Sequence, residues 1–179
     1  MPARRSSPAL VKAAALALLP LLSLSAAASA QTPNPPAAIV EAATDCWAAT
    51  GATSIDTAKL TANGWVAGGL KDKDGKAVPT PLRFFSKKDS SITVMVLPTG
   101  KNPACSVMSR VGTVADYKPL MDLLMTRLKQ LEPTLKAGRA GTNGAAFLGG
   151  GRIALIEPTG TQTAPAARIV VGMSASEKK

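Results

Sequence analysis

Histidine is absent from this chain of 179 residues, and cysteine occurs only twice. A chain without histidine cannot carry out Ser-His-Asp hydrolysis or Cys-His proteolysis, and it cannot build a histidine-bearing zinc site. Two cysteines are also too few for an all-cysteine structural zinc site. We therefore expect neither a metal site nor another cofactor.

Aromatic residues are scarce as well. They make up 3% of the chain, whereas its formal net charge is +10. Because single-stranded nucleic acids are bound largely by stacking bases on aromatic rings, we do not expect a nucleic-acid partner. Two interpretations of the charge remain open. It either keeps the protein in solution or attracts it to anionic lipid, cell-wall polymer or an acidic protein.

The first thirty residues have the three regions of a secretory signal peptide. Residues 1–12 carry three basic side chains and no acid, and residues 13–27 form an apolar run rich in alanine and leucine. This run is shorter than the roughly 20 apolar residues of a membrane-spanning helix. The pattern therefore favours a cleaved signal peptide rather than an uncleaved membrane anchor. It also predicts a mature chain without a transmembrane segment.

The predicted cleavage signal is the small-x-small pattern formed by Ala28 and Ala30, which would leave Gln31 as the first mature residue. Loss of the three basic residues lowers the formal charge from +10 to +7. We expect an exported protein, periplasmic or secreted.

Cys46 and Cys105 are predicted to form one disulfide, as paired cysteines of exported proteins usually do. Closing so long a loop would stabilise the fold by about 4 kcal/mol in the chain-entropy model. A free reactive thiol is the alternative, but it would need an activating base such as histidine.

Hydrophobic periodicity predicts an α+β fold, with a mainly antiparallel sheet of about five strands and two or three helices packed on one face. Helices are expected at residues 36–50, 56–63 and 114–131, and strands at 82–88, 91–97, 104–111, 152–156 and 168–173. Residues 71–81 are interpreted as a charged loop and residues 136–151 as a glycine-rich connector. The domain organisation is a signal peptide (1–30), a flexible mature N-terminus (31–36), a single α+β domain (37–175) and a frayed tail (176–179).

Catalytic patterns are weak. Ser86 and Lys88, and Ser176 and Lys179, have spacings that Ser-Lys catalysis could use, but both pairs lie where a lysine would stay solvated. Residues 72–75 lack the further acids of a calcium loop, and residues 138–151 lack the lysine of a phosphate-binding loop. We expect a non-catalytic binding or envelope-associated protein. The second hypothesis is a basic module that associates electrostatically with anionic envelope components, and the third is an unrecognised hydrolase.

Two sets of residues are candidates for binding. Trp65, Arg110 and Glu157 could line a partly apolar pocket. The second set could form an anion-binding face. The alternative is a solvated sheet edge that blocks unwanted strand pairing, because the loop before the predicted strand 82–88 and the turn after it lie at opposite ends of that strand. These cations are Lys71, Lys73, Lys76, Arg83, Lys87, Lys88 and Lys101.

Residues 37–131 resemble small exported proteins of Gram-negative, especially alphaproteobacterial, bacteria whose function is uncharacterised. The resemblance is carried by Cys46, the Gly64-Trp65 pair and the run from Ala104 to Arg110, and it extends to residues 147–150. It implies a periplasmic location and no particular activity or partner.

Overall fold

The computed structural model describes residues 32–174. The predicted signal peptide, its cleavage residues Ala28, Ala30 and Gln31, and the predicted tail at 176–179 lie outside this range. The helices are α1 (Pro36–Ala49), α2 (Thr57–Ala62) and α3 (Tyr117–Leu131), with a 3₁₀ turn (Val114–Asp116) leading into α3. The strands are β1 (Val66–Gly68), β2 (Arg83–Ser86), β3 (Thr93–Leu97), β4 (Ala104–Arg110), β5 (Lys136–Ala140), β6 (Gly144–Gly149), β7 (Arg152–Gly160) and β8 (Pro165–Met173).

The strands form one eight-stranded sheet in the order β1-β2-β3-β4-β8-β7-β6-β5, with every neighbouring pair antiparallel. The predicted α+β class is confirmed, but the prediction of about five strands is wrong. β5 and β6 occupy the segment that was interpreted as a glycine-rich connector, and β1 is only three residues long.

Glycine within β6 reflects close backbone approach. A Cβ at Gly144 would lie 2.6 Å from the carbonyl oxygens of Ala140 and Ile156, so a larger residue does not fit there. Phe147 supplies the apolar anchor of the same strand and is buried in the core. The glycine content that indicated a flexible connector therefore belongs to a tightly paired hairpin.

The topology repeats itself. α1 precedes the meander β1 to β4, and α3 precedes the meander β5 to β8. The last strands of the two meanders, β4 and β8, pair with each other at the centre of the sheet. α1 packs against both of these central strands, and α3 packs against β6, so the two halves share one continuous core.

The core lies between the sheet and the helices α1 and α3, which also pack against each other. α1 begins at Pro36, where a missing backbone N–H costs nothing, and buries Ile39, Cys46 and Trp47. The predicted disulfide is confirmed: Cys46 on α1 is bonded to Cys105 on β4, with Cα atoms 5.6 Å apart. It fastens the first helix to the centre of the sheet.

The other face of the sheet carries the alternate residues of each strand. On β4, the side chains of Cys105 and Val107 are buried towards the helices, whereas Ser106, Met108 and Arg110 occupy the opposite, outer face.

None of the helices described between residues 32 and 174 is both long and apolar enough to cross a membrane.

Candidate functional site: a basic hairpin and its anchor

Between β1 and β2 the chain forms a projecting hairpin, residues 69–82, which we call the basic hairpin. Its two arms pair through the N–H of Val78 to the carbonyl of Leu70 (2.9 Å) and the N–H of Asp72 to the carbonyl of Lys76 (2.8 Å). The Asp72 carboxylate also accepts from the backbone N–H groups of Asp74 and Lys76. The turn at residues 74–75, within the predicted charged loop, is thus stabilised by the side chain of Asp72.

Large apolar side chains are exposed at this hairpin. Leu70 and Val78 lie directly opposite each other and are 42% and 40% exposed. Val66 on β1 is 65% exposed and Leu82 is 37% exposed. Of the eight large apolar residues that are exposed in the described part of the chain, four therefore fall within residues 66–82. Such clustering, in contrast to exposed apolar residues scattered singly, is typical of an interaction surface.

The structure separates the seven predicted cations into two groups. Lys71, Lys73 and Lys76 are exposed on the basic hairpin, and Arg83 and Lys101 lie at the same end of the sheet. None of the four ion pairs formed within residues 32–174 involves any of these five side chains. The nearby acids of the hairpin are Asp72 and Asp74, so cations outnumber acids at this end.

Lys87 and Lys88 lie beyond the other end of β2, away from the basic hairpin. Lys87 is already neutralised, because its Nζ is 2.8 Å from Glu41 and 3.5 Å from Asp45. Burial lowers the pKa of Lys87, but the hydrogen bond that Lys87 donates to Glu41 and the charges of both carboxylates outweigh this effect and raise the pKa above its usual value. Lys87 therefore serves the fold, and the seven cations do not make one patch.

Trp65 anchors the base of the basic hairpin. It directly precedes β1, is 1% exposed, and donates from Nε1 to Asp45 Oδ2 over 2.8 Å. Asn63 Nδ2 donates to the other oxygen of the same carboxylate over 2.7 Å, and the Lys87 ammonium lies 4.9 Å from the centre of the indole ring. Gly64, with φ of +83°, makes the sharp turn that brings Trp65 back from α2 to the core.

Sequence reasoning missed Asp45, the acceptor at the centre of this network. A signal was present: Asp45 lies beside Cys46 and Trp47 on the face of α1 that turns towards the core. A carboxylate at such a position is buried only when it is hydrogen-bonded or paired. Its partners, 18 and 20 residues along the chain, could not be identified by spacing.

The three candidate pocket residues lie in three different places. Trp65 belongs to the anchor. Glu157 on β7 pairs across the strands with Arg168 Nη2 on β8 at 2.5 Å. Arg110 borders a small pocket of about 190 Å³ at the ends of β3, β4 and β8.

Two larger grooves occur elsewhere. One of about 410 Å³ lies beside the β6–β7 turn and is bordered by Lys136 and Arg152. Arg152 is held there by a bond from Nε to the carbonyl of Thr50 (2.9 Å), with its guanidinium 5.8 Å from the ring centre of Trp47. The other, of about 350 Å³, runs between α1 and α3.

In the described range 32–174, no three histidine, cysteine or acidic side chains are grouped in a way that could hold a metal ion. No protein-family model, curated protein or solved structure matches this chain.

Proposed function

We propose that this is an exported, non-catalytic binding protein that associates with the surface of an anionic lipid membrane through the basic hairpin. The observation that carries the proposal is that one projecting element combines exposed Leu70 and Val78 with lysines that form no ion pair with any residue between 32 and 174. A protein of this kind is a peripheral one, held at the surface of the bilayer.

The lysines of the basic hairpin support attraction to an anionic membrane surface. A lysine or arginine close to an anionic bilayer contributes about 1 kcal/mol, and the attraction falls off within a Debye length. Lys71, Lys73 and Lys76 project from the fold without an ion-pair partner among the described residues, so their charge is available to a partner. Association should therefore weaken as salt is added.

The apolar side chains favour lipid over a hydrophilic polymer. A hydrophilic polyanionic glycan would leave most of the apolar surface of Leu70 and Val78 in water, whereas a bilayer can bury both at the boundary between headgroups and acyl chains. The long stems of the flanking lysines allow their ammonium groups to remain at headgroup level while the apolar pair is buried.

The disulfide supports a location outside the reducing cytosol. Structural disulfides persist in the periplasm and in secreted proteins. Together with the signal-peptide pattern of the first thirty residues, the Cys46–Cys105 bond favours an extracytoplasmic protein that meets the outward-facing surface of a membrane.

Sedimentation with vesicles tests the proposal. Vesicles of phosphatidylcholine, vesicles in which phosphatidylglycerol replaces about a third of the lipid, and isolated peptidoglycan serve as three parallel targets. We expect binding to the phosphatidylglycerol vesicles that declines steeply between about 50 and 500 mM NaCl, and little binding to the neutral vesicles. Equal binding to both kinds of vesicle, or binding to peptidoglycan alone, would overturn the proposal.

A further inference from the structure

β4 holds two polar side-chain atoms that are buried without a hydrogen-bond partner among the described residues: Ser106 Oγ and Arg110 Nε. Both side chains belong to the outer face of the sheet. A buried donor without an acceptor destabilises the fold, and more strongly when the group is charged. The unpaired guanidinium nitrogen of Arg110 is therefore the feature of this face that most needs an acceptor.

The backbone at Arg110 is fixed in place. Its carbonyl accepts from the N–H of Asn34 (3.1 Å) and from Ser109 Oγ (3.0 Å). The Asn34 side chain in turn donates to Ser91 Oγ (2.6 Å) and to Ser109 Oγ (3.0 Å). Because three chain segments converge on this point, the start of the Arg110 side chain is positioned before any ligand binds.

Arg110 borders the pocket of about 190 Å³ described above, and the chemistry of its lining is mixed. Ser91, Thr93 and Ser109 contribute hydroxyl groups, whereas Met108 and the methyl groups of β8 contribute an apolar wall. No acidic residue lines the pocket. None of the four ion pairs within residues 32–174 neutralises Arg110.

We propose that Arg110 binds the carboxylate of a small organic acid in this pocket. A carboxylate can approach a guanidinium from the side and accept from Nε and one Nη together. Because Nε of Arg110 is buried in this structure, binding must turn the side chain so that Nε and one Nη face the pocket, and the carboxylate then gives Nε the acceptor it lacks. The volume is below the 300–1,000 Å³ usual for drug-sized ligands, so the acid must be short. The site lies away from the basic hairpin and does not depend on membrane association.

The hydroxyl groups and the apolar wall define the specificity we expect. Thr93 can donate to the same anion, whereas the hydroxyl groups of Ser91 and Ser109 already donate to the carbonyls of Thr32 (2.7 Å) and Arg110 (3.0 Å). Met108 favours a ligand with a short apolar body. A spherical chloride ion can use the charge of Arg110 but not the paired geometry, so it should bind more weakly than acetate at equal ionic strength.

Nuclear magnetic resonance of the purified protein reports directly on the Arg110 Nε–H group. Sodium acetate, sodium propionate, sodium phosphate and sodium chloride are titrated separately at constant ionic strength. We expect acetate and propionate to shift the Arg110 Nε–H signal and the amide signals of Thr93 and Ser109 along one saturating curve. A stronger response to phosphate would assign the site to phosphate and overturn the carboxylate proposal.

The substitution Arg110→Lys keeps the positive charge but removes the two parallel N–H donors of the guanidinium, so the affinity for acetate should fall about tenfold or more. Arg168→Lys is the matched control, since Arg168 lies on the same sheet face but pairs with Glu157 and does not border the pocket. Equal affinities in the two variants, or a chloride response as large as that of acetate, would contradict the proposal. If Arg110→Lys does not fold, the wild-type Nε–H titration alone decides.

Discussion

The indole of Trp65 donates its Nε1 hydrogen to the carboxylate of Asp45, 20 residues earlier in the chain, over 2.8 Å. This bond ties the residue before the edge strand β1 to the buried face of helix α1. It matters for function because the basic hairpin begins only a few residues beyond Trp65. The hairpin is exposed throughout most of its length, yet its base is fixed to the core.

Replacing Asp45 by alanine should lower the free energy of unfolding by about 3 kcal/mol, because the buried Nε1 hydrogen of Trp65 loses its acceptor. The substitution also removes the hydrogen bond from the exposed Asn63 and one of the two ion pairs of Lys87. Urea unfolding followed by circular dichroism measures the change.

Asp122→Ala is the control for this experiment. Asp122 makes an exposed ion pair with Lys118 one turn along α3, and pairs of that kind contribute about 0.5 kcal/mol or less. A loss at Asp45 no greater than the loss at Asp122 would show that the network does not stabilise the fold.

Removing the disulfide by the double substitution Cys46→Ala and Cys105→Ala should cost about 2–4 kcal/mol. The bond joins residues 59 positions apart and constrains the unfolded chain, although some of the gain can be offset by packing changes. Chemical unfolding of the oxidised wild type and of the double variant, each with a reductant control, gives the difference. Reductant should destabilise the wild type and leave the variant unchanged; equal stability of both would contradict the role we assign to the bond.

Stability should depend on Lys87 at alkaline pH. The folded-state pKa of Lys87 is raised above its ordinary value of 10.5, so the charged form is favoured by folding. The resulting stabilisation is fully present below about pH 10 and is lost as the pH rises through the folded-state pKa. The free energy of unfolding of the wild type, compared with that of Lys87→Met at pH 8 and near pH 11, isolates this contribution. The gap between the two proteins should narrow at the higher pH, and a constant gap would refute the assignment.

The apolar part of the basic hairpin makes its own contribution to membrane binding. Leu70→Ser with Val78→Ser should weaken binding to phosphatidylglycerol vesicles by about tenfold, since each buried apolar side chain contributes roughly 25 cal/mol per Å². The loss should persist at high salt, where electrostatic attraction is screened. Leu123→Ser is a control on the exposed surface of α3. Unchanged binding by the double variant would remove the apolar pair from the account.

The sequence alone predicted the helices well because their signals are local. Pro36 begins α1 and Asp56 caps α2, while the apolar stripe of residues 120, 124 and 128 defines α3. The disulfide could be predicted from compartment and cysteine count. These features need no knowledge of distant contacts.

The number of strands and the contacts of the candidate site could not be predicted from local signals, because they depend on pairing between distant segments of the sheet. β5 and β6 are rich in glycine, and glycine weakens a strand pattern unless the neighbouring backbone requires it, as at Gly144. The predicted strand between Lys87 and the hairpin lysines already indicated that these lysines are separated. The ion pairs of Lys87 with Glu41 and Asp45 could not be predicted in this way. Contacts of that kind join residues more than 40 positions apart.

Charge reversal in the basic hairpin tests the central claim most directly. The triple variant Lys71→Glu, Lys73→Glu and Lys76→Glu is compared with Lys129→Glu, Lys136→Glu and Arg139→Glu, which changes the net charge equally on exposed residues of α3 and the far edge strand β5. Affinity for phosphatidylglycerol vesicles is measured for both by sedimentation. Because each basic residue near an anionic bilayer contributes about 1 kcal/mol, we expect the hairpin variant to bind at least tenfold more weakly than the control. Equal weakening of the two variants would mean that net charge alone drives association, and would contradict the assignment of the membrane-binding surface to the hairpin.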